Sequence, residues 1–460
     1  RRQLLMCIIE SKYSAARNIL ANTLCKIHID SAANLINSKA LKKLKHIFNS
    51  IIWTLVGVYV LLTVLVHLSP VQHFLGSQVS SVLADKFDTK VTVGSVNLGF
   101  FNRIIIDDVM MYDQKGDSMI YASRISAKVS LLPLLNQKIS IASAQLFGLK
   151  ANLYQQTPQS KHNFQFVLDS LASKDTTKHT PLDLHIGSLI IRHGAVKYDK
   201  WYIASKSGVF SPAHISISDL STHIIANHIT DDAINLHIKK LAFHDKSGLQ
   251  LNSLSFKLDA NKREASLKEF ELQLPHSDIT LGDIHATYKF DNGKLVMPTL
   301  QYSGSIEQSK ITLSDIACLL PIFRHFEDAV FFETQFTGTS TSLRCQKINF
   351  KTGSGSINLQ AKGRISDWNS RPAWDVDIAN LNLTEESISF ISHNLGKKIN
   401  VPKEVTRLGG IHYVGHLSGH GDRLSSKGRL EIVVGNADIQ LAKNGNNIQA
   451  KIATQGIAHD

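Results

Sequence analysis

Apolar residues along this chain follow two rhythms, and the switch between them comes near residue 90. Before it, Ile47 to Leu68 form an apolar run without acid, Lys or Arg, preceded by Lys42, Lys43 and Lys45 and closed by Pro70. A helix of that length crosses the roughly 30 Å hydrocarbon core of a bilayer. The residues that follow, HLSPVQHF, offer no small-residue cleavage site, so the run predicts an uncleaved anchor and not a signal peptide. A buried soluble helix is the alternative, unusual for an all-round apolar helix in a β-rich chain. Lipid contact is expected of Ile47, Ile51, Trp53, Leu55, Val58, Leu61, Leu65 and Leu68. Next, Val71, Phe74, Leu75, Val79, Val82, Leu83 and Phe87 recur at spacings of three and four, predicting an amphipathic helix with Pro70 in its first turn. That helix could lie against a membrane, plug the mouth of a groove, or pack on the strands after it.

From residue 90 the period becomes two. KVTVGSV alternates Val91 and Val93, RIIIDDV offers Ile104 and Ile106, RISAKVSL carries Ile125 and Val129, and KISIAS pairs Ile139 with Ile141. The texture returns with Leu184 and Ile186, with Leu254, Phe256 and Leu258, and with Phe270 and Leu272. It continues through Trp374, Val376 and Ile378 to Leu441. Alternation over many short segments predicts a sheet with one apolar and one polar face. Helical interruptions are expected within FQFVLDSL and over 314–326 and 384–396. We expect about twenty strands, whose apolar faces need either a second sheet or a sheet curled on itself into a greasy trough. The segments are then 1–46, an anchor at 47–68, a helix at 69–89 and strands over 90–460.

Charge adds an orientation. Residues 1–46 hold nine Lys/Arg against two acids, Glu10 and Asp30, so the N-terminal side is expected in the cytoplasm and everything after Ser69 across the membrane. The net charge of +12 falls to +5 once this segment's +7 is set aside, and no basic run with interleaved aromatics appears, so nucleic acid is not an expected partner. Cys7 and Cys25 precede the anchor. Cys318 and Cys345 could pair in an oxidising compartment. The strand pattern still runs at IATQGIAHD, and further sequence is expected beyond it.

Several stretches carry a family resemblance. SPVQHFLGSQVSSVLADKFDTKVTVGSV, IIIDDVMMYDQKGDSMIYA and ISIASAQLFGLKANLY follow the anchor in order. LDLHIGSLIIRHGAVKYD, LSDIACLLPIFRHFEDAVFFETQFTG and RLGGIHYVGHLSGHGDRLSSKGRLEIVVGNADIQL come later. Over residues 40–460 the chain resembles the start of the TamB family of the AsmA-like superfamily. The resemblance implies a mainly β protein, an elongated, taco-like groove with an N-terminal transmembrane helix and a few short helices. It implies an inner-membrane anchor in a diderm bacterium, a body in the periplasm, and phospholipids carried toward the outer membrane. It also implies a role in assembling outer-membrane β-barrels and autotransporters with an Omp85-type partner, through a C-terminal region absent from this sequence. The groove would be lined by the alternating residues named above.

Chemistry of other kinds has little to stand on. His416 and His420 are four apart, but a zinc pair at that spacing wants a helix, and their neighbours Ile411, Tyr413, Gly415 and Leu417 alternate as in a strand. Asp107 and Asp108 are adjacent in a strand pattern and so are expected on opposite faces. GSGS at 353–356 reads as a turn, and neither a nucleophile elbow nor HExxH occurs. No catalytic residue, metal or cofactor is expected, and an enzyme hidden in the fold is disfavoured. Three readings remain: a lipid conduit, an assembly scaffold that templates strands at its sheet edge, and a closed sandwich in which every apolar position is dry core.

Overall fold

Most strands after residue 90 pair with a near neighbour in sequence, and over 188–273 and 301–455 each pairs with the next, so the alternation of the chain becomes one ladder. In the computed structural model the described residues are 39–66, 68–99, 102–129, 139–172, 182–183, 187–229, 233–291, 293–396 and 409–455, with helical residues between 17 and 26. The chain divides into two units, 1–72 and 73–460. In the first, helix α1 (Lys39–Val66) exposes its described apolar side chains, among them Ile47, Ile51, Trp53, Leu55, Val58, Leu61 and Leu65; Leu68, just beyond it, is exposed too. Among the described residues no helix is long and apolar enough to cross a membrane.

Helix α2 (Ser69–Phe87) packs on the first strands. A Cβ at buried Gly76 would stand 3.6 Å from the carbonyls of Val93 and Gly94, Ser80 Oγ donates to the Val91 carbonyl at 2.5 Å, and Phe87 is buried. Leu75, Val79 and Leu83 share that side, while Phe74 and Val82 are exposed, so the expected apolar stripe is narrower than its seven residues.

The ladder opens with β1 (Val91–Thr92) and β2 (Ser95–Leu98), both paired with β3 (Arg103–Tyr112), followed by β4 (Ser118–Val129). β5 (Ile139–Phe147) and β6 (Lys150–Gln155) lie against β4 and run parallel to β8 (Ser188–Lys200); β7 (Leu182–Asp183) joins β5. Parallel neighbours need a long crossover, and the connection carries α3 (Gln165–Ala172), as expected within FQFVLDSL. Then β9 (His214–Ile229), β10 (Ala233–Asp245), β11 (Gln250–Asn261) and β12 (Glu264–Gln273) follow antiparallel. Two short strands, β13 (Asp278–Leu281) and β14 (Ile284–Thr287), bridge β12 to β17 (Gln301–Ile311), with β15 (Phe290–Asp291) and β16 (Lys294–Leu295) in a separate hairpin. The ladder ends with β18 (Val330–Thr339), β19 (Ser342–Thr352), β20 (Ile357–Ser366), β21 (Ala373–Leu383), β22 (Ile411–His420), β23 (Arg423–Ile432), β24 (Gly435–Asn444) and β25 (Asn447–Gln455). The protein is mainly β, with 23 strands among the described residues in this single sheet.

Strict alternation fails where a strand holds one residue more than its neighbour over the same step. β8, β10, β12, β17, β19 and β21 do so at the steps Ile191 to Gly194, Ile238 to Leu241, Lys268 to Glu271, Ile306 to Ser309, Cys345 to Ile348 and Ile378 to Leu381, and β4, β5 and β11 do so at Ser118 to Ile120, Ile141 to Ser143 and Leu251 to Leu254. These are β-bulges, which keep an apolar side chain on its face where the step is three residues and add local bend and twist. β9 carries a further one at Asp219, whose φ of 53° is left-handed. The ladders β22–β23, β23–β24 and β24–β25 run without interruption.

Helix α4 (Glu386–Leu395) forms where the 384–396 pattern predicts it, ending at left-handed Gly396. Over 314–326 the expected helix is instead two 3-10 turns, Leu313–Ile316 and Pro321–Phe323. Pro321 lacks the N–H that a continuing helix would use.

Candidate functional site

The apolar face of the sheet is the candidate site, and register builds it. Phe332, Phe350, Leu359, Leu381, Tyr413, Leu430 and Ala437 stand opposite one another in turn from β18 to β24. Leu236, Leu258, Leu267 and Ile284 make a second row from β10 to β14, and Val96, Ile106, Ile125 and Leu146 a third from β2 to β5. β-branched and aromatic side chains suit such rows because cross-strand partners pack directly.

These rows are only partly covered. In the longest, Tyr413 and Ala437 are buried while Phe332, Phe350, Leu359, Leu381 and Leu430 keep partial exposure. A buried cluster of Ala361, Ile378 and Tyr413 is flanked by half-buried Ile348, Val376 and Leu417. The largest fully buried apolar side chain in the described chain is Met119. A dry core between two sheets would bury its Phe and Leu residues, and here they are left half open.

Aromatic rings lie over glycines on this face. Cβ atoms at Gly415 and Gly428 would strike Tyr413, one at Gly419 would strike Trp374, and one at Gly338 would strike Tyr302. The rings flatten onto neighbouring strands because those strands offer no side chain there. Sequence reading missed this pairing, although the spacing of Tyr413, Gly415 and Gly419 along one strand face was a readable signal.

The sequence-predicted lining residues divide as follows. Ile104, Ile106, Ile125, Ile141, Leu254, Leu258 and Leu272 are half-buried strand residues, with Ile106 opposite Ile125 and Leu254 opposite Leu272. Phe256 and Phe270 stack with centroids 6.2 Å apart across the β12 bulge. Val91 and Val129 are fully buried. Val93 sits between β1 and β2 with its Cγ1 toward Gly76 of α2. Ile139 pairs with Leu182 in a ladder, while Leu184 and Ile186 lie outside the described residues.

The opposite face is charged and mutually paired. Lys347 and then Asn349 donate to Glu333 and hold its carboxyl below the ordinary value. His416 bridges Asp377 (2.7 Å) and Asp375 (3.2 Å), and His412 meets Glu431 at 3.1 Å. The bond from His416 holds the Asp377 carboxyl down. Asp107 takes Arg124 at 2.6 Å, whereas Asp108, left-handed with φ 52°, accepts from Tyr121 at 2.8 Å, so the two acids do separate work. Among the described residues no three His, Cys, Asp or Glu converge as a metal site, and Cys318 and Cys345 are unbridged thiols.

A cleft of about 850 Å³ is bordered by a cross-strand row of the polar face, His285, Ser303, Thr337, Arg344, Arg364 and Asp375, with Tyr302 and Trp374 also at its wall. At the sheet edge, the 112–118 turn closes on buried Asp113, whose carboxylate accepts from Tyr154 Oη (2.7 Å) and the backbone of Lys115 and Asp117. GSGS at 353–356 is a turn, with the hydroxyls of Thr352 and Ser356 buried against each other at 3.1 Å.

No protein-family model, curated protein or solved structure matches this chain.

Proposed function

We propose that the sheet carries phospholipid acyl chains along its apolar face, as a conduit from the inner toward the outer membrane of a diderm bacterium. The TamB resemblance suggests this reading. The single observation that supports it is the half-open row from Phe332 to Leu430, continuous across strands and bulky enough to cover hydrocarbon. Each buried CH2 contributes about 0.8 kcal/mol, so an acyl chain gains several kcal/mol by lying there in place of water. A curled, groove-like sheet belongs to the same proposal. The bulges on β8 to β21 favour curvature, because an extra residue bends its strand.

On this reading residues 47–68 anchor the chain in the inner membrane, the N-terminus stays in the cytoplasm, and the sheet stands in the periplasm. The exposed apolar surface of α1 fits that role. No step calls for a reacting group, and an Omp85-type barrel partner belongs to the same proposal.

The test is mass spectrometry of lipids co-purifying with the full chain, extracted in a detergent that spares bound lipid. Phospholipid near one per protein or above, lost in Phe256→Glu or Leu272→Glu with folding intact, is expected. Val129 is too buried for this use, since a charge there would unfold the strand. A folded protein carrying no more lipid than the Glu variants would sink the conduit and leave the scaffold reading.

A further inference from the structure

Arg344 of β19 and Arg364 of β20 stand directly opposite each other. Opposed like charges on adjacent strands, with Cβ atoms ~5 Å apart, destabilise a sheet. On the same two strands the neighbouring lysines are matched: Lys347 of β19 pairs with Glu333, and Lys362 of β20 with Asp377 at 3.7 Å. Among the described residues neither Arg344 nor Arg364 has an ion pair or a side-chain hydrogen bond. The next carboxylate in their row, Asp375, is held by His416 at 3.2 Å.

The surroundings of this pair are donors. Ser303 and Thr337 continue the row, and Thr339 and Ser342 bond each other at 2.8 Å one step along. All of them border the cleft of about 850 Å³, room for a phosphate and the polar group attached to it. Two arginines at opposed ladder positions can offer planar forks that match phosphate oxygens two at a time. A dianion between them would also turn their repulsion into attraction.

We propose that Arg344 and Arg364 clamp a phosphate-bearing anion, either a phospholipid headgroup or a small soluble phosphate, with the flanking Thr and Ser hydroxyls as further donors. The clamp lies on the face opposite the apolar rows, so it stands or falls independently of the lipid path. Phe256→Glu is expected to leave it intact.

The experiment titrates the full chain in nonionic detergent with sn-glycerol 3-phosphate, with inorganic phosphate, and with micelles doped by phosphatidic acid or by diacylglycerol. Binding is read from calorimetry and from the thermal midpoint. The expected result is stabilisation by glycerol 3-phosphate or inorganic phosphate if the ligand is soluble. Stabilisation by phosphatidic acid alone is expected if it is a headgroup. Diacylglycerol, which lacks phosphate, is expected to do nothing. Arg344→Gln and Arg364→Gln should each weaken binding about tenfold, the size of one charge-assisted bond. Each should also raise the anion-free midpoint by removing the repulsion. Lys362→Gln should bind as wild type. If a Gln variant fails to fold, Arg344→Lys and Arg364→Lys keep the charge while losing the fork and should still bind more weakly. No response to any phosphate, or equal affinity in the folded Arg variants, overturns the proposal.

Discussion

The phenol of Tyr413 lies across Gly428 of the next strand: a Cβ at Gly428 would fall 2.6 Å from Tyr413 Oη, and that hydroxyl meets Ser426 Oγ at 3.0 Å. The glycine is the seat of a ring that is 9 % exposed. Gly428→Val should expel the ring and lower stability by about 1–3 kcal/mol, as overpacking does. Ser426→Ala should cost about 1 kcal/mol through the lost hydrogen bond. Urea midpoints measure both, and an unchanged midpoint for Gly428→Val would show that the ring is not held there.

Asp315 ties the turn after β12 to the 3-10 turn after β17. Its side chain, 2 % exposed, accepts from Ser277 Oγ (2.6 Å), the His276 backbone N–H (3.0 Å) and His276 Nδ1 (2.8 Å). Asp315→Ala should destabilise by about 1–3 kcal/mol because buried donors lose their acceptor. Asp315→Asn keeps one oxygen and should lose less. Thermal unfolding ranks the two variants, and the opposite order contradicts this arrangement.

The turn closed by Asp113 predicts a pH signature. Burial pushes this carboxyl up, but bonds from Tyr154, the Asp117 and Lys115 backbone and Asn163 outweigh it and leave its pKa below the ordinary value. A depressed carboxyl stabilises the fold above the unfolded value of about 3.9, and the contribution disappears as pH falls through the folded one. Tyr154, pushed up to about 12 by burial and its bond to Asp113, does the reverse: its contribution persists below the unfolded pKa of about 10 and fades as pH rises toward 12. The stability gap between wild type and Asp113→Asn should be constant near neutrality and shrink below about pH 4. The gap to Tyr154→Phe should hold until about pH 10. Chemical unfolding at stepped pH decides, and a gap to Asp113→Asn that widens in acid contradicts the sign.

The two thiols of the sheet unit should react at different rates. Cys318 is buried, and burial pushes its pKa up, so little thiolate forms. Cys345 is partly exposed. With Cys7 and Cys25 changed to Ser, a disulfide reagent should label Cys345 first and reach Cys318 only on unfolding. Simultaneous labelling, or a native bridge between them, would contradict these positions.

Much of the ladder could be read from residue type alone. Leu254 and Leu258 on one strand meet Leu272 and Leu267 on the next, as period-two patterning requires. What escaped was the three-residue step. The alternation Trp374, Val376, Ile378 resumes at Leu381, because Ala379 and Asn380 share one place in the ladder. Nothing in their chemistry marks that. The site was legible as a set of apolar faces, but coverage was not: Val129 and Ile106 look alike in sequence, and only packing makes one core and leaves the other half open. The helix expected over 314–326 failed for a nameable reason, Pro321, whereas the Arg344–Arg364 opposition depends on register and has no local signal.

Over β17 to β22 the bulges fall on alternate strands, so the repeating unit there is the two-strand hairpin and not the strand. Removing β18 or β20 alone would set two bulged strands side by side, and removing β19 would set two unbulged ones together, so either change breaks the alternation. Removing or inserting a pair would leave the rhythm whole. Such a protein can change length in steps of two strands, each hairpin stabilised by its two neighbours alone, so that it should unfold like a zipper from its weaker end and not all at once.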